Sequence, residues 1–248
     1  MNNLIPTDKL YLNLNNDDFH GQFIKYRKMM DYTYYTNYTL DRQIFQDEII
    51  NRYIKKSVKK VHHPQLIFTC GCFGAGKSHC IKHLSRIGKL DINNYIYIDP
   101  DRIKYELIEA RHYIAKDPVN AGSLLHMEST YISLLLQYVC FDAGYQMIVD
   151  GSMRETAWFI SYIKWINVNY TQYIIGIIQV KADLDIVLQR CHKRGKSTGR
   201  IISPDLIKNI HSTIQSSFDT LKFKVDFYMV IDNNSQTQII EFVENKQN

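Results

Sequence analysis

Five cysteines stand among the 248 residues, an odd number at irregular spacing, which excludes a secreted disulfide framework. Cys70, Cys72, His79 and Cys80 crowd together, but no second ligand pair follows at zinc spacing. Cys70 and Cys72 also fall on an expected strand end and a glycine turn, so a structural zinc site is not expected. No apolar run is longer than a strand, which excludes an apolar membrane-spanning helix. The first residues are polar and lack the charged-then-apolar pattern of a secretory leader. A cytoplasmic location is therefore expected, where the Asn-Tyr-Thr strings at Asn37 and Asn169 have no meaning as glycosylation sites. The guanine-reading string Asn-Lys-x-Asp is missing too: Asn245-Lys246-Gln247-Asn248 lacks the acid. With 45% hydrophobic and 22% charged residues, the composition excludes wholesale disorder. The net charge of +5 permits a nucleic-acid partner without demanding one.

What is present suits one large domain, or one domain with an appendage. Residues 1–62 are rich in Asn, Asp and Tyr and turn basic at Lys55–Lys60. Apolar residues recur at Leu40, Ile44, Phe45, Ile49, Ile50, Tyr53, Ile54, Val58 and Val61, which predicts a helix over 40–61. Lys55, Lys56, Lys59 and Lys60 line its wet side, read as a solvated face in preference to a nucleic-acid patch. Tyr32, Tyr34, Tyr35 and Tyr38 read as packing surface. Residues 1–62 are expected to be a helical extension of a domain spanning 63–248.

After Pro64 the pattern changes. Short, continuously apolar runs at 65–70, 95–99, 146–150, 173–180 and 227–232 read as strands buried on both faces. Helical patterns fill 77–87, 101–113, 122–143, 155–168, 182–194 and 203–219, with Gly88 and Gly195 as stops. This alternation predicts an α/β domain: a doubly wound parallel sheet of about five strands with helices on both faces.

Between the first run and the first helix stands G-C-F-G-A-G-K-S at 71–78, a complete G-x-x-x-x-G-K-[ST] string in the strand-loop-helix context that it requires. Gly71, Gly74 and Gly76 allow turns that side chains block. The amides of this loop, through Ala75 to the helix start at His79, then point at phosphate oxygens. Lys77 is expected on the β- and γ-phosphates and Ser78 on Mg²⁺. ATP and Mg²⁺ are the expected cofactors.

Ligands of open α/β sheets bind beyond the carboxyl ends of the strands. The second run ends there in Asp99-Pro100-Asp101, where one aspartate can cap the following helix and the other can polarise an acceptor hydroxyl. The third ends in Asp150-Gly151-Ser152-Met153-Arg154. Asp150 is expected to hold Mg²⁺ or its water, with Ser152 and Arg154 at the rim beside the acceptor. Arg190 and Arg194 share a helix face four residues apart. With Arg200, which follows Gly199, they read as a mobile lid that brings cations to a transferring phosphoryl group.

These strings, in this order over about 64–233, resemble the zeta toxin family of P-loop kinases. The resemblance implies phosphorylation of a sugar hydroxyl on UDP-N-acetylglucosamine or a related nucleotide sugar. It implies Asp101 as the base, Glu128 as a substrate contact, Arg154 at the substrate rim, and Arg190 and Arg200 as the phosphate clamp. The catalytic set is then Asp101, Lys77, Arg190 and Arg200. The His-Pro that follows the catalytic aspartate in the toxins is replaced by the run Tyr105–Tyr113. The segment 150–158 looks more like the zeta-like proteins of protists and large viruses. A small-molecule substrate is the expected partner; a membrane is not, and no antitoxin partner can be inferred. Two alternatives stay open, a polynucleotide or nucleoside kinase and a non-catalytic nucleotide-dependent module.

Overall fold

A computed structural model describes residues 4–15, 18–55, 60–199, 201–235 and 239–244. Strands form at all five expected runs: Gln65–Cys70 (β1), Ile96–Ile98 (β2), Met147–Val149 (β3), Ile174–Lys181 (β4) and Phe227–Asp232 (β5). A sixth, Ile239–Glu244 (β6), joins them in the order β2-β3-β1-β4-β5-β6. β1 runs parallel to β3 and β4, and β4 to β5, while β6 is antiparallel to β5. The expectation of about five strands omitted β6, which, as an antiparallel neighbour, needs no helical crossover to announce it.

The longer helices are Leu40–Ile54 (α1), Lys77–Arg86 (α2), Pro100–Glu106 (α3), Ala110–Lys116 (α4), His126–Ala143 (α5), Thr156–Asn169 (α6), Leu184–Thr198 (α7) and Pro204–Leu221 (α8). The helix expected over 40–61 stops at Ile54; Lys56 and Lys59 of its basic face lie outside the described residues, and Lys55 and Lys60 are exposed. The helix expected over 101–113 is two, because Leu107 turns extended (φ −70°, ψ 135°) after Glu106. Gly88 follows the end of α2 with φ +72°, as a left-handed stop should. Gly195 does not stop α7. The helix runs on to Thr198, and Gly199 takes the left-handed closing position, so the expected lid loop is one turn shorter.

The chain divides into two compact units. One comprises Met1–Ser57 and Ile98–Ala143, so the N-terminal segment shares a unit with a segment of the expected kinase domain. Its centre is α5, packed against α1, α3 and the single-turn helices Thr7–Leu10, Ile24–Arg27 and Ala121–Leu124. Every residue from Tyr131 to Phe141 is buried, which is why α5 is apolar on all sides instead of striped. Val58–Tyr97 and Gly144–Asn248 make the other unit, which carries most of the sheet. In β4 every residue from Ile175 to Val180 is buried, matching its unbroken apolar run. The chain passes from β1 outward to β2, back to β3 beside β1, and then to β4 on the other side of β1. That reversal marks the carboxyl ends of β1 and β3 as the place for a ligand.

Candidate active site

The loop 71–78 leaves the end of β1 and enters α2. Gly76 has φ +96°, and a Cβ there would lie 2.2 Å from Asn233 Nδ2. At Gly74, φ is +76° and a Cβ would lie 2.7 Å from the Val187 carbonyl oxygen. Only glycine fits either place. The Ala75 amide closes a turn onto the Cys72 carbonyl. Its own carbonyl accepts from Asn233 Nδ2 at 2.7 Å and from Arg190 at 3.3 Å. The phosphate loop is thus braced from behind by a helix and by the residue that follows β5. Asn233 carries no motif, and no local signal marks it.

The Lys77 ammonium donates to the carbonyls of Gly71 (3.1 Å) and Cys72 (3.4 Å) and lies 3.8 Å from Asp150 Oδ1. Asp150, at the end of β3, is buried. Its Oδ1 accepts from the Thr69 hydroxyl at 2.7 Å, and its Oδ2 from the Tyr97 phenol at 2.6 Å and the Ser78 hydroxyl at 3.4 Å. Lys77, Ser78 and Asp150, expected together from their motifs, are together. Thr69 and Tyr97 were not anticipated; a threonine amid the apolar residues of β1 is the one hint the sequence offered. His79 is exposed on the first turn of α2.

Beyond Asp150 the chain is held close to β1. The Gly151 amide donates to Thr69 Oγ1 at 3.0 Å, and the Cys70 thiol to the Ser152 carbonyl at 3.4 Å. Met153 is buried with φ +56°, the one non-glycine residue among those described in the left-handed region. Arg154 is exposed and donates to the neighbouring Glu155 at 3.1 Å. Arg190 is not on a loose lid. Its guanidinium donates to the Asn233 carbonyl at 3.0 Å as well as to Ala75. Arg194 is exposed on α7, and Arg200 lies outside the described residues. Burial pushes the Cys70 thiol up to about 12 and the Cys72 thiol to about 11, so both stay protonated at neutral pH.

In the other unit, Asp99 and Asp101 are held differently. Asp99 caps α3, accepting from the amides of Asp101 (2.8 Å) and Arg102 (3.3 Å). Asp101, in the first turn, accepts instead from the buried Lys104 ammonium at 2.9 Å. Glu128 is fully buried near the start of α5. Its Oε1 accepts from Arg42 Nε at 2.6 Å and Gln46 Nε2 at 2.9 Å, and its Oε2 from the Arg42 guanidinium at 2.8 Å. Arg42 also grips Glu109 at 2.8 and 3.1 Å, and its guanidinium lies 4.0 Å from the Tyr11 ring centre. Burial alone lowers the basicity of Arg42, but its bonds to Glu128 and Glu109 outweigh this and raise it. No motif marks Arg42; the helical spacing of α1 located the helix without its partner.

A family model described as Zeta toxin matches residues 46–244. No curated protein matches the chain at a significant level. Among solved structures, a chain of the PezAT chromosomal toxin–antitoxin system of the human pathogen Streptococcus pneumoniae is similar, at 12% identity and a TM-score of 0.66, over 82% of this chain and 83% of that one. The AvrRxo1-ORF1:AvrRxo1-ORF2 complex with sulphate ions is similar at 13% identity and a TM-score of 0.68, over 98% of this chain and 80% of that one. The same complex with ATP gives 13% and 0.67, over 98% and 79%. At these identities the structures establish a shared fold.

Proposed function

The chain belongs to the Zeta toxin family, and from that premise we propose that it transfers the γ-phosphoryl group of ATP to an alcohol hydroxyl of a small metabolite, a nucleotide sugar of the UDP-N-acetylglucosamine type. Family membership supports a nucleotide-dependent kinase. The observation that carries the reading to this chain is the meeting of Lys77, Ser78 and Asp150 at the ends of β1 and β3, beside a loop whose glycines admit no side chain. The AvrRxo1-ORF1:-ORF2 complex with ATP supports ATP as the donor.

The donor set fits Mg²⁺, because a carboxylate and a hydroxyl within 3.4 Å of each other are hard oxygen ligands. Asp150 and Ser78 would hold the ion, and a bound Mg²⁺ would offset the charge of the β- and γ-phosphates. The loop amides of Gly71, Gly74 and Gly76 and the start of α2 bind phosphate oxygens. Lys77 leaves its loop carbonyls for the transferring group. Arg190 keeps the loop in shape, and Arg194 and Arg200 add positive charge. Asp101 takes the proton of the acceptor hydroxyl, with Lys104 holding its carboxylate in one orientation. Ser152 and Arg154 bind the acceptor. Glu128, sealed against Arg42, supports the substrate region by ordering α5 and does not touch the acceptor directly.

The test is incubation with ATP, Mg²⁺ and a panel of nucleotide sugars, with mass spectrometry for the gain of one phosphoryl group. Asp101→Asn should abolish transfer while ATP still binds. Full transfer by that variant would remove Asp101 from the mechanism.

A further inference from the structure

We infer that Tyr97 is a positioning residue for the metal-binding carboxylate, a role that rests on the assignment of Asp150 to Mg²⁺ made above. Tyr97 lies in the middle of β2, between Ile96 and Ile98, both almost fully buried. The two-residue period of a strand turns Tyr97 to the face opposite theirs. Its phenol donates to Asp150 Oδ2 at 2.6 Å. On the other oxygen, Thr69 donates to Oδ1 at 2.7 Å. Thr69 Oγ1 itself accepts from the Gly151 amide at 3.0 Å, and of the two acceptors for its proton the Asp150 carboxylate at 2.7 Å is nearer than the Gly151 carbonyl at 3.4 Å.

A carboxylate held at both oxygens by separate elements cannot turn about its Cβ–Cγ bond. Oδ2 is therefore kept on the Ser78 hydroxyl, 3.4 Å away. Both holding groups are neutral, so they orient the carboxylate without cancelling its charge. Lys77, 3.8 Å from Oδ1, is the competitor. A carboxylate released by Tyr97 can swing onto that ammonium, and one paired with lysine is a weaker ligand for a cation. Tyr97 thus keeps Asp150 for the metal and Lys77 for the phosphates. Groups that orient a metal ligand in this way typically account for about 10–100-fold in metal affinity.

The experiment is calorimetric titration of the full chain with ATP, in the presence of Mg²⁺ and in the presence of a chelator. Tyr97→Phe, which keeps the ring and removes the hydroxyl, should leave the Mg²⁺-free affinity within about twofold and cut the Mg²⁺-dependent gain about tenfold. Thr69→Val should act in the same direction through the other oxygen. Equal losses with and without Mg²⁺ in Tyr97→Phe would make the phenol a structural prop and overturn the inference. An unchanged Mg²⁺-dependent gain in both variants would overturn it as well. A parent chain that binds no ATP under either condition would instead overturn the phosphotransferase reading itself, so the two failures are separable.

Discussion

Two of the buried carboxylates, Glu128 and Asp150, are partnered in opposite ways. In the unit built on α5, Glu128 is bonded to a guanidinium and an amide, and the same guanidinium reaches Glu109. Its charge is cancelled by a permanent cation of the chain. In the unit that carries the phosphate loop, Asp150 is bonded to three hydroxyls, and its nearest cation, 3.8 Å away, spends its own protons on loop carbonyls. Its charge is kept. Both are buried acids near motifs, so burial does not tell them apart. The charge of the partners does. A carboxylate satisfied by hydroxyls can still take a divalent cation, whereas one satisfied by arginine has given up that capacity in exchange for order.

Substitutions can break or sharpen this contrast. The largest effect is expected from Asp150→Asn, which should lower phosphoryl transfer about 100-fold or more while leaving the unfolding midpoint nearly unchanged. A variant as active as its parent would put Asp150 in the same class as Glu128. Next comes Arg42→Ala, which strands Glu128 and Glu109 and should cost about 3–5 kcal/mol in urea unfolding. Stability close to that of the parent would mean that the Arg42 cluster holds nothing together. The smallest effect is one of pH. Burial by itself raises the Glu109 carboxyl, but its bonds to Arg42 and Tyr11 outweigh burial and set it below its ordinary 4.5. A carboxyl lowered by folding contributes stability in full above its unfolded value, and loses it as pH falls through the folded one. Unfolding free energies measured from about pH 6 down to pH 3 should therefore fall, and fall less steeply in Glu109→Gln. Identical slopes would deny Glu109 this share.

The strands of this fold were legible because both faces are covered, so their apolar runs are continuous and end at the turn residues. β1 runs from Gln65 to Cys70, the bounds its run suggested. β6 escaped because Ile-Ile-Glu-Phe-Val-Glu at an antiparallel edge resembles a charged tail. At the site, residues carried by a motif were readable, including Lys77, Ser78 and Asp150. Those that act through distant pairing were not. Thr69, Tyr97, Arg42 and Asn233 are single polar side chains whose partners lie 81, 53, 86 and 158 residues away in sequence. Spacing within a helix or strand cannot report such a partner. Gly195 misled for a related reason. A helix tolerates one glycine, and the end goes to the glycine that can adopt the left-handed turn, here Gly199.

The brace on the phosphate loop bears on how the protein is made. Ala75 leaves a ribosome well before the residue whose amide holds its carbonyl, because Asn233 follows 158 residues later. A nascent chain can extend β1 and wind α2 early, yet the loop between them lacks this support until Asn233 has emerged. Until then the chain carries the glycine-rich motif without the amide that braces it from behind.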